Sequence, residues 1–415
     1  MTHILISGAS MAGPALAWWL RRAGAEVTVV ERSPGVRGGG YPIDLRGVAV
    51  DVVERMGLLG AVEAARTGTR RISFVAADGH PIAEVPGEDA TSDAGESPVR
   101  SVEIPRGELA RLLWGATRDD VEYVFDDHLT ALDDGPGGVR VTFASGASRT
   151  FDLVVGADGI HSGVRRLAFG PEERFRHDLG LCYAGFSAPN AAGLDREALL
   201  ANTPGRTVAL YGVGGPADDV VAVLVFGAPA PWTGHRDTGA QRRMVADAFG
   251  GLAWRVPETL EAMRAADDFY FDTVSQIRMP SWTSGRVGLV GDAAYAPSFL
   301  SGQGTSLAVV GAYVLAAEVA ARPDADAAAA LPAYERRMRE FVRVNQALVG
   351  NGRSVVHPST TWELLRRNAL LRARPLLERI GSRARFGAGA VDPVAQAAVA
   401  MTLPEFPAAP AVAAG

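Results

Sequence analysis

Lysine is absent from all 415 positions of this sequence, so each of the 41 basic side chains is an arginine. Any reaction that depends on a lysine amine is therefore excluded. Cysteine is nearly absent too, because Cys182 is the only one. One cysteine can form neither an internal disulfide nor a redox pair, and this usage is typical of a reducing cytoplasm.

Long hydrophobic runs are also missing. The longest apolar stretch in a helical context, residues 307–321, is interrupted by Glu318 and is too short to cross a bilayer. Residues 3–7 already resemble a buried strand, so the N terminus does not have the pattern of a signal peptide. The net charge of −6 gives no reason to expect nucleic acid or an anionic membrane as a partner. We expect a small-molecule ligand, no metal, and no obligate protein partner.

The length exceeds one usual hydrophobic core, and the alternation of strand and helix patterns predicts an α/β fold with a second, inserted domain. We expect a Rossmann-like nucleotide-binding domain from residues 1–72, 100–171 and 279–350. The inserted β-sheet domain, which would bind the substrate, is expected from residues 73–99 and 172–278. Residues 351–386 should add a C-terminal helix, and residues 387–415 an Ala/Pro-rich, partly disordered tail.

The N-terminal segment predicts a βαβ unit with strands at residues 3–7 and 27–30 and a helix at 14–23. A glycine-rich turn follows the first strand, and Glu31 stands 18 residues after Gly13, the spacing that places an acid on a ribose hydroxyl. Ser10 replaces the middle glycine, so the backbone approaches a pyrophosphate less closely. The alternative is a glycine-rich turn of any α/β sheet. The candidate dinucleotide contacts are Gly8, Ser10, Met11, Ala12, Gly13, Glu31 and Arg32.

A second motif begins with a buried strand that delivers Asp158-Gly159 to a sheet edge. Ser162 follows, and Arg165 lies about one helical turn further on. By itself this pair of residues could be an ordinary turn dipeptide.

The third motif is the stretch from Gly285 to Tyr295, continued by residues 301–306. A short apolar strand ends at Asp292, and glycines then open an apolar helix. A carboxylate and free helix N-terminal amides at one point suit a polyol phosphate. A capping Asp in an ordinary turn is the alternative. The candidate contacts are Asp292, Gly302, Gln303, Gly304, Thr305 and Ser306.

The remaining elements are predicted from periodicity and turn residues. In the first half we predict a short helix ending near Met56, an exposed acidic loop at 87–96, a helix at 105–114, and strands at 121–125, 129–132 and 139–143. The inserted region should contain strands at 181–188, 207–213, 220–226 and 269–278 and one helix at 241–249. Later helices are predicted at 305–321, 332–351 and 362–385, the last broken at Pro375.

The three motifs in this order resemble the class A, single-component flavin-dependent monooxygenases, including the aromatic hydroxylases and the tetracycline-modifying branch. The resemblance covers residues 1–350 and implies FAD as the cofactor. It places the FAD adenosine diphosphate on the first motif and the ribityl chain and pyrophosphate on the third. The Asp-Gly motif would serve both FAD and the transient docking of NADPH or NADH. The resemblance also implies that Arg106, at the head of a helix, contacts FAD. Arg46 is either a surface arginine or a contact to the flat face of the cofactor, and Leu129 is a further candidate contact.

Two departures from the family affect the substrate side. Tyr295 stands where the family commonly has His, and Ser298-Phe299 where it has adjacent prolines, with Pro297 one residue upstream. The wall that faces the substrate is therefore expected to differ from that of phenol hydroxylases. We expect no counterpart of the thioredoxin-like C-terminal domain of longer relatives, because few residues follow position 385. The candidate substrate contacts are Tyr211, Phe226, Pro297 and Phe299.

The resemblance implies that NAD(P)H reduces the flavin, that O₂ adds at C4a, and that the hydroperoxide oxygenates a small, aromatic or polycyclic compound. Hydroxylation, epoxidation and Baeyer-Villiger oxidation remain open, and residues 172–280 contain no evident general base. A flavin halogenase would need a lysine and a disulfide reductase a cysteine pair, so both are excluded. A flavin oxidase, dehydrogenase or reductase remains an alternative, as does a non-catalytic flavin-binding protein.

Overall fold

The computed structural model describes residues 2–87, 99–228, 237–322, 326–380 and 392–407. Its strands are β1 (His3–Ser7), β2 (Glu26–Val30), β3 (Pro42–Arg46), β4 (Arg71–Val75), β5 (Pro81–Pro86), β6 (Ser101–Pro105), β7 (Glu122–Val124), β8 (Leu129–Gly135), β9 (Gly138–Phe143), β10 (Ser148–Phe151), β11 (Leu153–Gly156), β12 (Arg176–Ala188), β13 (Glu197–Thr203), β14 (Arg206–Tyr211), β15 (Val220–Gly227), β16 (Tyr270–Ile277), β17 (Thr283–Ser284) and β18 (Val287–Leu289).

The helices follow in chain order. They are α1 (Ala12–Arg22), α2 (Val48–Arg55), α3 (Leu59–Ala64), α4 (Arg106–Gly115), α5 (Gly163–Phe169), α6 (Thr238–Phe249), α7 (Val256–Ala265), α8 (Asp292–Tyr295), α9 (Gly304–Ala320), α10 (Leu331–Gln346), α11 (Val349–Val356), α12 (Thr361–Ile380) and α13 (Pro393–Ala398).

The first sheet has the order β17-β18-β11-β1-β2-β7 and is parallel except for β17. Its central strands are almost continuous runs of Val, Ile and Leu, which is expected where helices cover both faces. Helix α9, apolar on all sides, packs on α1, α2 and α10 within this core. Because the parallel strands all end at one edge, their C-terminal loops meet there. The predicted α/β fold is confirmed.

The second sheet has the order β16-β12-β15-β14-β13-β4-β5. Its pairs are antiparallel except β13 with β4, and one face is covered by α6 and α7. Strand β13 and helix α7 were not predicted from the sequence. A separate two-stranded ribbon, β3 with β6, lies between the two sheets and pairs Asp44 with Glu103. A three-stranded sheet, β10-β9-β8, contains the strands predicted at 129–132 and 139–143, which form a hairpin.

Two sequence predictions of helix structure are wrong, and part of the tail is placed. The helix expected at 332–351 is two helices, since α10 ends at Gln346 and α11 begins at Val349. Helix α12 runs to Ile380 without the break expected at Pro375. In the tail, residues 392–407 are placed: α13 packs on α10, and Phe406 lies against Trp19. Most of the acidic loop at 87–96 lies outside the described residues, and Gly87 is buried.

Candidate active site

One cavity of about 1280 Å³ lies between the C-terminal edge of the first sheet and the open face of the second. The three sequence motifs line one side of it, and strands β12 to β16 line the other. The loop of residues 296–302 and the ribbon of β3 and β6 border both parts. A single continuous space therefore joins a nucleotide-type cradle to a sheet surface, the arrangement in which ligand sites are commonly found.

The glycine-rich turn is built for close backbone approach. Gly8 has a φ of +112°, and a Cβ there would lie 2.4 Å from the carbonyl oxygen of Ala157. A Cβ on Gly13 would lie 1.9 Å from the carbonyl oxygen of Gly8, so this glycine lets α1 pack tightly on β1. Both positions exclude any larger residue.

Glu31 holds this turn from the end of β2. Its carboxylate accepts hydrogen bonds of 2.9 Å from the backbone amides of Ala9 and Ser33. The carboxylate also lines the cavity. Since a carboxylate has about four acceptor positions, it retains capacity for a ribose hydroxyl.

Ser10, in place of the middle glycine, accepts a hydrogen bond of 3.2 Å from the guanidinium of Arg106. Arg106 begins α4, and Gly40 leaves room for its stem, because a Cβ there would lie 3.4 Å from the Arg106 Cβ. The departure from the glycine pattern is thus paired with an arginine that also lines the cavity.

Asp158 caps the helix that follows the second motif. Its carboxylate accepts from the amides of Gly163 and Val164 at 2.8 and 3.1 Å and from the hydroxyl of Ser162. Burial raises the pKa of Asp158, and these hydrogen bonds oppose that effect. The motif is therefore a capped strand-to-helix turn, and its Asp158-Gly159 backbone lines the cavity.

Asp292 differs from the other two acids. Burial among protein atoms raises the pKa of Asp292. Its side chain is nevertheless open to the cavity and has no hydrogen-bond partner among the described residues. Gly302, with a φ of +64°, forms the turn opposite, where a Cβ would meet Arg46 at 3.4 Å. Both polar ends of the buried Gln303 side chain also lack a partner within the described chain. Asp292 is therefore available to a polar ligand, whereas Gln303 is fully buried.

The structure separates the sequence-predicted contacts into two sets. Four of them do not line the cavity: Gly13, Gln303, Ser306 and Phe226. The Ser306 hydroxyl instead accepts from the Arg46 amide at 3.1 Å and holds β3 against α9. The predicted residues that do line it are Gly8, Ser10, Met11, Ala12, Glu31, Arg32, Arg46, Arg106, Leu129, Asp158, Gly159, Tyr211, Asp292, Pro297, Phe299, Gly302, Gly304 and Thr305.

Phe226 is therefore a wrong assignment as a substrate wall. On β15, Val223 and Val225 line the cavity, so the alternating Phe226 points to the opposite face. There it packs against Phe249 of α6 and Phe271, with ring centroids 5.7 and 6.3 Å away.

Tyr295 also lies away from the cavity, contrary to the expectation that it alters the substrate side. Its hydroxyl is 3.0 Å from that of Tyr334, which in turn donates to the Leu289 carbonyl at 2.9 Å. Gly311 makes room for it, since a Cβ at that position would lie 2.0 Å from the Tyr295 hydroxyl. Of the two departures expected on the substrate side, the segment Pro297-Ser298-Phe299 borders the cavity and Tyr295 does not.

Sequence reasoning missed a charged group at the cavity wall. The ring of His161 lies 3.0 Å from Glu172 through Nδ1 and 3.0 Å from Asp272 of β16 through Nε2. Hydrogen bonds to Asp272 and Glu172 raise the pKa of His161 to about 9. The Tyr270 hydroxyl donates to the same Asp272 oxygen at 3.0 Å. His161 follows the Asp-Gly motif directly, but no sequence signal connects it to a strand 111 residues away.

An aromatic cluster around Tyr183 was also missed. The Tyr183 ring lies 6.0, 5.5 and 5.1 Å from those of Tyr41, Tyr270 and Phe299. All four border the cavity, and they come from separate parts of the chain. Burial raises the pKa of Tyr183 well above its usual range, so it remains a neutral phenol.

The residues around this cavity fit FAD. Gly8 and Gly13 form a turn with no space for side chains, Glu31 ends the second strand, and Asp292 faces the cavity unpartnered among the described residues. Glu31 would hold the adenosine ribose, and Asp292 the ribityl chain. A dinucleotide cradle facing a second sheet across one cavity is the arrangement expected of a flavoprotein oxidoreductase from the sequence resemblance.

Comparison with known proteins identifies the family. A family model described as "FAD binding domain" matches residues 1–348. The chain is 45% identical over 358 residues to the uncharacterized protein Rv1260 of Mycobacterium tuberculosis, with 85% of this chain and 93% of that protein covered. It is 36% identical over 343 residues to a flavin-dependent monooxygenase of Legionella longbeachae, covering 83% and 86% of the two chains. The crystal structure of tetracycline destructase Tet(51) superposes with a TM-score of 0.82 at 30% identity, covering 98% of this chain and 100% of that one.

This chain belongs to the FAD-binding-domain family of flavin-dependent monooxygenases. The prediction of a class A FAD monooxygenase is confirmed, and with it FAD as the cofactor. Within the described residues, no helix is long and apolar enough to span a membrane. The same residues contain no group of His, Cys, Asp and Glu side chains that could hold a metal ion.

Proposed function

We propose that this protein uses NADPH or NADH and O₂ to hydroxylate, or otherwise oxygenate, a small aromatic or polycyclic compound. The observation that carries the proposal is the continuity of the cavity from Asp292 to the apolar face of the second sheet. Similarity to a tetracycline destructase supports a polycyclic substrate. A cavity of about 1280 Å³ has room for a cofactor ring and a flat ligand side by side.

The chemistry that FAD supplies when bound is the activation of O₂ and the transfer of one oxygen atom to the substrate. The protein's own residues bind and orient the cofactor and the substrate, and they exclude water from the site. Glu31 would hold the adenosine ribose and Asp292 the ribityl chain, and Arg106 would offset the charge of the phosphates. The loop that contains Pro297 and Phe299 would position the substrate against the reactive ring.

We propose that the nicotinamide coenzyme docks transiently on the nucleotide-binding side of the cavity. In the described part of the chain the strand-glycine-helix unit at Gly8 to Gly13 has no second copy, and we assign that unit to FAD. Asp158, Gly159 and His161 line the cavity beside it. The single, buried cysteine cannot form a redox pair for electron relay, and its presence alone suits a reducing cytoplasm. We propose that the protein acts there without an obligate protein partner.

The decisive experiment is turnover of the FAD-loaded enzyme under labelled O₂ with a panel of polycyclic phenols. We expect one labelled oxygen atom in the product and NAD(P)H consumption in step with it. An oxidase would return the oxygen as peroxide and leave none in the product. Turnover at the same rate without oxygen would contradict the proposal, because it would define a reductase or dehydrogenase.

A further inference from the structure

The substrate side of the cavity is formed by one face of four strands, β12 to β15. Seven residues of these strands line the cavity, and we call them the sheet wall: Tyr183, Leu200, Thr207, Ala209, Tyr211, Val223 and Val225. Every one of the seven is uncharged. Alternation along the strands puts them on a single surface, broad and flat enough for fused rings.

The polar groups on this wall are neutral or already bonded. The Thr207 hydroxyl donates to the Val356 carbonyl at 2.8 Å. Behind it, burial lowers the pKa of His357 to about 4, so the imidazole is neutral at pH 7. Burial also raises the pKa of Tyr211 to about 12, and the neighbouring carboxylates of Glu103 and Asp44 add to the shift. Tyr211 is therefore a hydrogen-bond donor and acceptor without charge.

Arg367 lies beside the wall, next to Asn202 on the same face of β13 as Leu200, and it is already bonded. Its Nη1 donates to Asn202 Oδ1 at 2.6 Å and to the Val355 carbonyl at 3.1 Å. The side chain also stacks over the Phe74 ring at 5.0 Å and does not line the cavity. It is therefore not available to a ligand in the cavity.

The charged residues that border the wall are mostly acids. Asp44 and Glu103 face each other on the β3–β6 ribbon, and Asp272 lies on β16. Among the described residues of β3, β6 and β16, Arg46 is the one cation that lines the cavity. It is paired with Asp44 at 2.9 Å. Glu103 accepts from the Thr69 hydroxyl at 2.6 Å, and burial raises its pKa.

His161 does not change this balance. Its ring is held between Asp272 and Glu172, so the charge of the imidazolium is already matched by two carboxylates. We assign the remaining arginines of the cavity, Arg32, Arg37, Arg106 and Arg166, to the nucleotide-binding side. The charge of Arg106 also reaches Tyr183 and Tyr270, where it opposes the rise in their pKa, but in the proposed function that charge is matched by the FAD phosphates. Among the described residues, an anionic substrate on the sheet wall of the FAD-loaded protein would thus meet no unpartnered cation, and burying a charge without a partner is strongly unfavourable.

We infer that the substrate is a flat polycyclic compound that binds without negative charge, and that carboxylate-bearing analogues are excluded. This inference rests on the proposed function, because it assumes that the substrate lies on the sheet wall beside the cofactor. A neutral phenol or ketone would stack on the valines and on Tyr183 and reach Tyr211 with one polar group. The predicted discrimination between a neutral ligand and its matched acid is at least about tenfold in Kd.

The test uses three anthraquinone phenols with the same rings that differ in one substituent: chrysazin carries hydrogen, aloe-emodin hydroxymethyl, and rhein a carboxyl group that is ionised at pH 7. Equilibrium dialysis against the FAD-loaded enzyme gives the three Kd values without any turnover. We expect chrysazin and aloe-emodin to bind alike and rhein at least about tenfold more weakly. Equal or tighter binding of rhein would overturn the inference, as would failure of all three to bind.

A pair of variants tests the cause. Val223 is partly open to the cavity, so it can accept a longer side chain. Val223→Arg supplies the missing cation and should bring rhein to at least the affinity of aloe-emodin, whereas Val223→Gln, of similar length, should not. An identical response of the two variants would contradict the charge argument. Binding in the expected order with no labelled oxygen in any product would overturn the proposed function and leave this inference standing.

Discussion

The guanidinium of Arg165 donates a hydrogen bond of 2.9 Å to the backbone carbonyl of Ala293, and this contact joins the second motif to the third. Arg165 is completely buried; its other contacts are the Ile160 carbonyl and the Glu172 carboxylate, 2.8 Å away. Because Ala293 follows Asp292 directly, one side chain sets the position of the Asp292 carboxylate relative to the Asp158 turn.

We expect Arg165→Met to lower the free energy of unfolding by about 3 kcal/mol, because two carbonyls and one carboxylate lose their donor inside the protein. Urea unfolding with saturating FAD measures this. Arg118→Met is the matched control: Arg118 is exposed and lies 3.6 Å from Asp119, so its loss should change stability little. Equal unfolding curves for the two variants would contradict the structural role of Arg165.

Asp292→Ala should weaken FAD binding at least about tenfold, because hydrogen bonds to a charged acceptor contribute about 1.5–3 kcal/mol each. Titration of the apoprotein with FAD, followed by quenching of the flavin fluorescence, gives the Kd. Asp119→Ala removes an exposed acid away from the cavity and should bind FAD like the wild type. Retention of full affinity by Asp292→Ala would mean that the third motif does not hold the cofactor.

Glu31→Ala should weaken FAD and leave the preference between NADH and NADPH unchanged. The carboxylate holds the Ala9 and Ser33 amides and lines the cavity at the end of β2, where the first nucleotide is expected. The measurement is kcat/KM for each coenzyme at saturating FAD. A reversed preference would show that the first motif binds the nicotinamide coenzyme instead.

The His161 contacts predict a pH dependence of stability. Its pKa is raised from 6.5 to about 9 in the folded protein, because Asp272 and Glu172 hold the charged ring. The stabilisation is therefore complete below about pH 6.5 and is lost as the pH rises through about 9. Since the ring is partly exposed, we expect solvent screening to limit the effect to about 1 kcal/mol.

The comparison with His161→Gln isolates this effect. Wild type should be the more stable protein near pH 6, and the difference should shrink toward pH 10 as the imidazolium deprotonates. Unfolding free energies at saturating FAD across this range provide the measurement. A difference that stays constant with pH would mean that the charge of His161 does not contribute.

Phe406→Ala should lower the free energy of unfolding by about 1–2 kcal/mol, since the ring is partly buried against Trp19 and Tyr313, with centroids 4.7 and 6.0 Å away. The control is Glu405→Ala, which changes the neighbouring exposed residue and should have little effect. Thermal or urea unfolding of both variants and the wild type provides the measurement. No difference between the two variants would mean that the contacts of Phe406 do not stabilise the fold, as expected if this part of the tail is disordered.

The sequence alone determined the features that depend on neighbours in the chain. The glycine turn, the acid at Glu31, and the strand that ends at Asp292 are each encoded within about 30 residues, so spacing and residue type predicted the βαβ unit and the cradle. The same holds for the hairpin of β8 and β9. The absence of lysine and of a second cysteine also excluded whole classes of flavoprotein chemistry, because a side chain that the chain lacks cannot be supplied by any fold.

Only the tertiary structure decided what depends on distant parts of the chain. Whether Phe226 or Val225 faces the cavity depends on the face of β15 that α6 covers, and a shift of one residue exchanges the two. The Asp44–Glu103 pair and the contact between His161 and Asp272 join segments 59 to 111 residues apart. The tail was expected to be partly disordered from its Ala/Pro-rich composition, and only the tertiary structure shows that Phe406 packs against Trp19 and Tyr313 of the main core.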